Sequence, residues 1–162
     1  MSLNRAVAVL QEMPLFRNLD LKRLRVVAMM GESQAYRAQE RLFEKGDEGD
    51  AAFIIIDGEV EVLVPAEGGE QSVAVLGKGE IFGELAVICD QTRSSAIAAR
   101  TGLETLRLDR NVVLNLMREF PDISVEMVRI LGGRLERTTR ELSQARSSLA
   151  AISDGAVSNG KG

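Results

Sequence analysis

Arg93 and Glu84 carry the most specific chemistry in this sequence, and both lie in one short stretch. It reads Phe82-Gly83-Glu84-Leu85-Ala86-Val87-Ile88-Cys89-Asp90-Gln91-Thr92-Arg93-Ser94-Ser95-Ala96. The guanidinium of Arg93 is a fixed fork of N–H donors that fits the edge of a phosphate. Glu84 supplies a carboxylate, an acceptor suited to a sugar hydroxyl. Gly83 has no side chain, so its backbone N–H can approach a ligand closely. Leu85, Ala86, Val87 and Ile88 read as one or two helical turns whose first N–H groups face an anion. Ser94 has a backbone N–H for the phosphate and a hydroxyl for phosphate or base, and Ser95, a further candidate ligand-binding residue, leads with it into the strand Ala96-Ile97-Ala98-Ala99. Together these residues describe a cradle for a phosphate and a sugar.

Other chemistries are excluded by composition. The chain has 162 residues and no histidine, which removes Ser-His-Asp and Cys-His catalysis and histidine-containing metal sites. No paired carboxylates stand in an acid–base setting and no nucleophile has an activating neighbour, so an enzyme is not expected. A net charge of −4 argues against nonspecific nucleic-acid binding. It does not oppose an anionic ligand, because binding follows the local field and solvent screens distant charges. The single cysteine, Cys89, cannot form an internal disulfide and reads as a small filler in a loop, consistent with a reducing compartment. No apolar run approaches the ~20 residues of a membrane span. The expectation is a cytoplasmic protein without resident cofactor, metal or membrane contact.

The elements that must position the cradle follow from periodicity. Leu3, Ala6, Val7 and Leu10 mark a short amphipathic helix ended by Pro14. Asp20 caps a second helix with Leu21, Leu24, Val27, Ala28 and Met30 on one face, and Gly31 stops it. From Ser33 to Asp109 the period becomes strand-like. Ala52-Phe53-Ile54-Ile55-Ile56 is a buried strand, and Asp57-Gly58 is a two-residue hairpin signal leading to Val60, Val62 and Val64. Glu67 to Glu70 turns the chain into Ser72–Leu76, and the last predicted pair joins Ala96–Ala99 to Thr105–Leu108. With six aromatic residues (five Phe, one Tyr), the core is expected to be aliphatic. The fold predicted is mainly β with flanking helices, an eight-stranded antiparallel jelly-roll-like barrel with N-terminal helices and two C-terminal helices. Asp109 is the predicted N-cap of the first of these (Val112, Val113, Leu116 and Met117 inward), and Pro121 opens the second. The boundaries expected are 1–32 for the N-terminal helices, 33–109 for the barrel with its cassette at 82–96, 110–149 for the C-terminal helices, and a disordered tail at 150–162.

Phe82-Gly83-Glu84-Leu85-Ala86, with Arg93 at fixed distance, resembles the phosphate-binding cassette of the cyclic-nucleotide-binding domain family. Pro14-Leu15-Phe16, Leu42-Phe43 with Gly46-Asp47, Ile56 to Val60 and Leu108-Asp109-Arg110 are similar to that family too, so the resemblance spans roughly residues 14–140. Within the family it points to the sensor domain of catabolite-activator-type bacterial regulators. Two positions depart from the pattern: Thr92 stands where many members have proline, and Ser95 where alanine is usual. The resemblance implies a cAMP- or cGMP-binding sensor, with Arg93 on the cyclic phosphate and Glu84 on the ribose 2′-hydroxyl. Those regulators continue into a helix-turn-helix domain, which this sequence lacks, so direct DNA contact is not expected and an unidentified effector protein would receive the signal. The alternative is a ligand-free scaffold or dimerisation module. Plainer roles exist for each residue: Arg93 as a loop arginine, Glu84 as a cap partner or solvated charge, Gly83 as a requirement of the turn, Ser94 as a polar loop residue.

The last helix adds two features. Val128, Leu131, Leu135, Thr138, Leu142, Ala145, Leu149 and Ile152 recur at three and four spacing, a heptad seam that predicts a homodimer. Gly132-Gly133 interrupts it at about 1 kcal/mol per glycine relative to alanine, and reads as a hinge, a close approach or a helix end. In the family the final helix commonly covers the base, which places Arg134 and Leu135, next to the glycines, as the covering residues.

Overall fold

The computed structural model describes residues 2–159. Its first compact unit runs to Ile123 and its second begins at Ser124. Helix α1 (Leu3–Glu12) starts at Ser2, whose side chain accepts a bond from the Arg5 N–H. A 3-10 turn (Pro14–Phe16) leads to α2 (Leu21–Met30), where Asp20 Oδ1 accepts from the Arg23 N–H at 2.9 Å, as its cap role predicts. Leu24, Val27 and Ala28 are buried, but Leu21 and Met30 are exposed, so the apolar face is narrower than expected. Gly31 ends α2 in ordinary backbone, φ −84. Its reason is packing: an added methyl would sit 2.6 Å from Leu106 Cγ in the core.

Eight strands follow: β1 (Glu32–Tyr36), β2 (Arg41–Phe43), β3 (Ala51–Asp57), β4 (Val60–Ala66), β5 (Gly69–Leu76), β6 (Ile81–Phe82), β7 (Ala96–Ala99) and β8 (Leu103–Asp109). They form two four-stranded antiparallel sheets, in orders β1-β8-β3-β6 and β2-β7-β4-β5. The strand count is as expected, but the closed barrel is not: among the described residues no strand of one sheet pairs with the other. Two connections explain the difference. Asp57-Gly58 carries the chain from β3 in one sheet to β4 in the other, and Thr101-Gly102 likewise separates β7 from β8. Both read locally as hairpin turns and act as corners between layers. The predicted return of β5 on β4 is a true hairpin, Val60 opposite Leu76 and Ala66 opposite Gly69.

Strand β3 is buried on both faces from Ala51 to Ile56, which is why it reads as a continuous apolar run. Ala51, Phe53 and Ile55 face the second sheet, packing with Val60, Leu76, Phe82, Ile97 and Leu103. Helices α1 and α4 (Arg110–Glu119) also pack on β3. The core is aliphatic over most of its length but not at the cassette end. There Phe53 and Phe82 stack with centroids 5.1 Å apart, and Phe43 lies 6.0 and 6.2 Å from them.

Short helix α3 (Glu84–Ile88) follows β6. Asp109 occupies the cap position of α4 without capping it; its carboxylate accepts from Arg107 instead, and the Arg110 N–H bonds the Asp50 carbonyl at 2.9 Å. Helix α5 spans Pro121–Asn159. It passes through Gly132-Gly133 unbroken and continues over 150–159, where the sequence predicts a disordered tail; residues 160–162 of that tail lie outside the described residues. The unbroken helix removes the helix-end reading, and nothing described within this chain stands within 4 Å of a methyl added at either glycine.

Candidate functional site

The site is built where the 46–50 turn meets the cassette. The Gly46 N–H bonds the Arg93 carbonyl and the Arg93 N–H bonds the Asp47 carbonyl, both at 2.8 Å. Glu48 and Thr92 form an isolated bridge beside them. Gly49 is required by contact: a methyl there would overlap the Ala86 Cβ and stand 2.8 Å from the Gln91 carbonyl. The Arg110 guanidinium ties the assembly to α4, donating to the Gly49 carbonyl at 2.7 Å and to the Asp90 carboxylate. Thus the loop 89–92, which has little regular structure of its own, is held by a turn some forty-five positions earlier.

Arg93 is 4% exposed, which overturns the reading of it as a surface arginine. Its Nη1 donates to the Gly83 carbonyl at 2.8 Å and its Nη2 to the Ala51 carbonyl at 2.7 Å. Asp50 Oδ1 is 3.8 Å from Nη2. The guanidinium carbon sits 4.1 Å above the centroid of the Phe43 ring. Nε is buried and has no hydrogen-bond partner. Burial pulls the Arg93 pKa below its usual value; Asp50, Asp47 and Glu84 oppose the shift, and Arg107 adds to it. The charge persists because arginine starts so high.

Gly83 holds a left-handed backbone, φ 78, at the cap of α3. A methyl in its place would lie 2.7 Å from Arg93 Nη1, so turn and close approach both demand glycine. Glu84 is 2% exposed, which removes the solvated-charge reading, and its charge raises the Arg93 pKa against the effect of burial. Of the other expected residues, Ala86 is buried, Leu85 and Ser94 are exposed and Ser95 is half-buried. Arg134 and Leu135 belong to α5 in the second unit, where Leu135 is 68% exposed.

The sequence reading missed Phe43, Asp47, Asp50 and Arg107 as site residues. All four line, with Tyr36 and Arg93, a cavity of about 340 Å³. Arg107 bonds Asp50 at 3.2 Å and also pairs with Asp109, so Asp50 stands between two arginines. The signal was present in Gly46-Asp47-Glu48-Gly49-Asp50: three carboxylates are more than a turn requires. Among the described residues no three thiol or carboxylate groups converge on a metal position.

Two antiparallel sheets flanked by helices thus bring a buried arginine and a buried glutamate to a glycine-initiated helical turn. The family model described as Cyclic nucleotide-binding domain matches residues 33–120, and the chain belongs to that family. It is 31% identical over 103 residues to the CRP-like cAMP-activated global transcriptional regulator of Mycobacterium tuberculosis, covering 63% of this chain and 46% of the relative. It is 32% identical over 132 residues to a cAMP-dependent protein kinase regulatory subunit of Mycosarcoma maydis, covering 82% and 24%. The structure is similar to the Thermus thermophilus Catabolite Activator Protein, with TM-score 0.72 at 30% identity, covering 80% of this chain and 62% of that one. The chain spans less than half the length of either of the two curated relatives. No helix is long and apolar enough to cross a membrane among the described residues.

The Gly49 contact yields a direct test. Gly49→Ala must push the turn away from α3, and overpacking of this kind costs roughly 1–3 kcal/mol. Urea denaturation is expected to show that loss; an unchanged midpoint would mean the turn is free to yield.

Proposed function

We propose that this chain binds a 3′,5′-cyclic nucleotide, cAMP in preference to cGMP, as a sensor or regulatory domain rather than an enzyme. The observation that carries the reading is the buried guanidinium of Arg93. Two of its five N–H donors hold carbonyls, and Nε–H has no partner within a desolvated site. A cyclic phosphate supplies the acceptor and the countercharge together. In this reading Arg93 pairs the phosphate, assisted by the backbone N–H groups of Leu85, Ala86, Ser94 and Ser95. Glu84 accepts from the ribose 2′-hydroxyl with the Gly83 N–H beside it. Ser94 is nearly neutral between bases, since a hydroxyl after the arginine suits either. The second reading, a ligand-free scaffold, draws on the same side chain: with its terminal nitrogens on backbone carbonyls, Arg93 has a structural task even without nucleotide.

Titration calorimetry against cAMP and cGMP separates the two. Binding in the micromolar range or tighter is expected, with Arg93→Ala weakening it at least about tenfold, since losing one partner of a buried charge pair costs about 2–5 kcal/mol. Removing the 2′-hydroxyl from the ligand is expected to cost roughly 1–3 kcal/mol through the hydrogen bond that Glu84 would accept from it. Full affinity in Arg93→Ala would return the cassette to the scaffold reading.

Helix α5 suits pairing with a second copy. Val128, Leu135, Leu142 and Leu149 recur every seven residues and all are exposed. A homodimer through this seam is expected in light scattering, with Leu135→Glu monomeric; a monomeric wild type removes the seam as an interface.

Occupancy would reach an effector protein along the same helix, Arg134 and Leu135 closing over the base and Gly132-Gly133 permitting the movement. A ligand shifts such an equilibrium only through contacts that differ between the two states. Amide exchange from Ile130 to Leu142 is expected to slow when cAMP is added. Exchange there that ignores a nucleotide the cassette binds would end this part of the proposal.

A further inference from the structure

Arg93 poses a physical problem that its hydrogen bonds do not solve. The cation is almost fully removed from water, and the Asp50 carboxylate lies 3.8 Å from Nη2, beyond hydrogen-bond distance. Two carbonyls fix the tips of the fork but leave the plane of the guanidinium free to pivot about the line joining them. The ring of Phe43 closes that freedom. It lies face-on to the cation at 4.1 Å, offering its negative face to a guanidinium that is itself buried. Phe43 is itself wedged against Phe53 and Phe82, a stacked pair, so the surface on which the guanidinium rests is rigid.

We propose that Phe43 is a positioning residue for nucleotide binding: its ring orients the Arg93 guanidinium and partly neutralises it, so that Nε–H is presented to the phosphate. This rests on the cyclic-nucleotide reading given above. The ring supplies attraction without a hydrogen-bond acceptor, so it holds the cation and leaves the donor uncommitted. A carboxylate at the same place would accept from Nε and compete with the ligand. The neighbouring cavity, lined by Phe43, Asp47, Asp50 and Arg107 as well, explains why shape alone cannot replace the ring. An aliphatic side chain would fill the space without attracting the cation and would leave the guanidinium free to turn.

The test uses the full chain in two arms. In the ligand-free protein, solvent exchange of the Arg93 Nε–H is followed by nitrogen-15 NMR. Slow exchange is expected in the wild type and in Phe43→Tyr, and fast exchange in Phe43→Leu. In the second arm, cAMP affinity is measured with phenylalanines carrying one, two or three ring fluorines at position 43, which weaken the ring's negative face at nearly constant shape. Affinity is expected to fall stepwise to a total of roughly three- to thirtyfold, the range of a cation–π contact. Equal affinity across the fluorinated series, with Phe43→Leu alone defective, would reduce Phe43 to packing and overturn the proposal. Fast Nε–H exchange in the wild type would overturn it whether or not nucleotide binds. A wild type with slow exchange and no affinity for cAMP or cGMP would instead overturn the nucleotide reading, leaving the orientation by the ring intact.

Discussion

The structure depends on keeping one positive charge out of water. Removing a guanidinium from solvent is costly unless its donors and its charge are both answered, and Arg93 draws its answers from five places. Gly83 and Ala51 give carbonyls, Phe43 gives a ring, Asp50 and Glu84 give field. Those residues belong to the cap of α3, β3, β2, the 46–50 turn and α3 itself, so both sheets and the cassette meet at one side chain. What is left unanswered is Nε–H, which is also what a bound anion would take.

The same constraint accounts for the glycines around the site. Gly83 combines a left-handed φ with a guanidinium nitrogen pressed against its Cα, and Gly49 admits Ala86 where any side chain would stand. Neither is a flexible joint. They are positions where backbone must come close to something else, and there the Gly83 carbonyl accepts from Arg93 and the Gly49 carbonyl from Arg110.

Much of this was legible in advance, unevenly so. The cassette could be read because its residues are adjacent in sequence and chemically distinctive. Strand positions could be read because period two and a buried apolar run survive in β3 and β4. The layer arrangement could not: Asp57-Gly58 and Thr101-Gly102 are the same local chemistry whether a turn closes a hairpin or crosses between sheets. The partners of Arg93 were hidden for a related reason. A backbone carbonyl such as that of Ala51 has no residue type to betray it, and Phe43 reads as core until its ring is seen beneath a cation. The extent of α5 also escaped, because small and polar residues such as those after Leu149 carry no periodic signal.

The reciprocal bonds between Gly46, Asp47 and Arg93 carry a kinetic meaning. They join segments far apart in the chain, so the loop between them must be closed before either bond forms, and the entropy of that closure is lost at once. The cradle around Arg93 therefore exists only where these distant segments have met. A fragment holding only the cassette would have the right residues and no counterpart for their backbone. The site in this domain is a property of its topology, which no single segment of the chain carries.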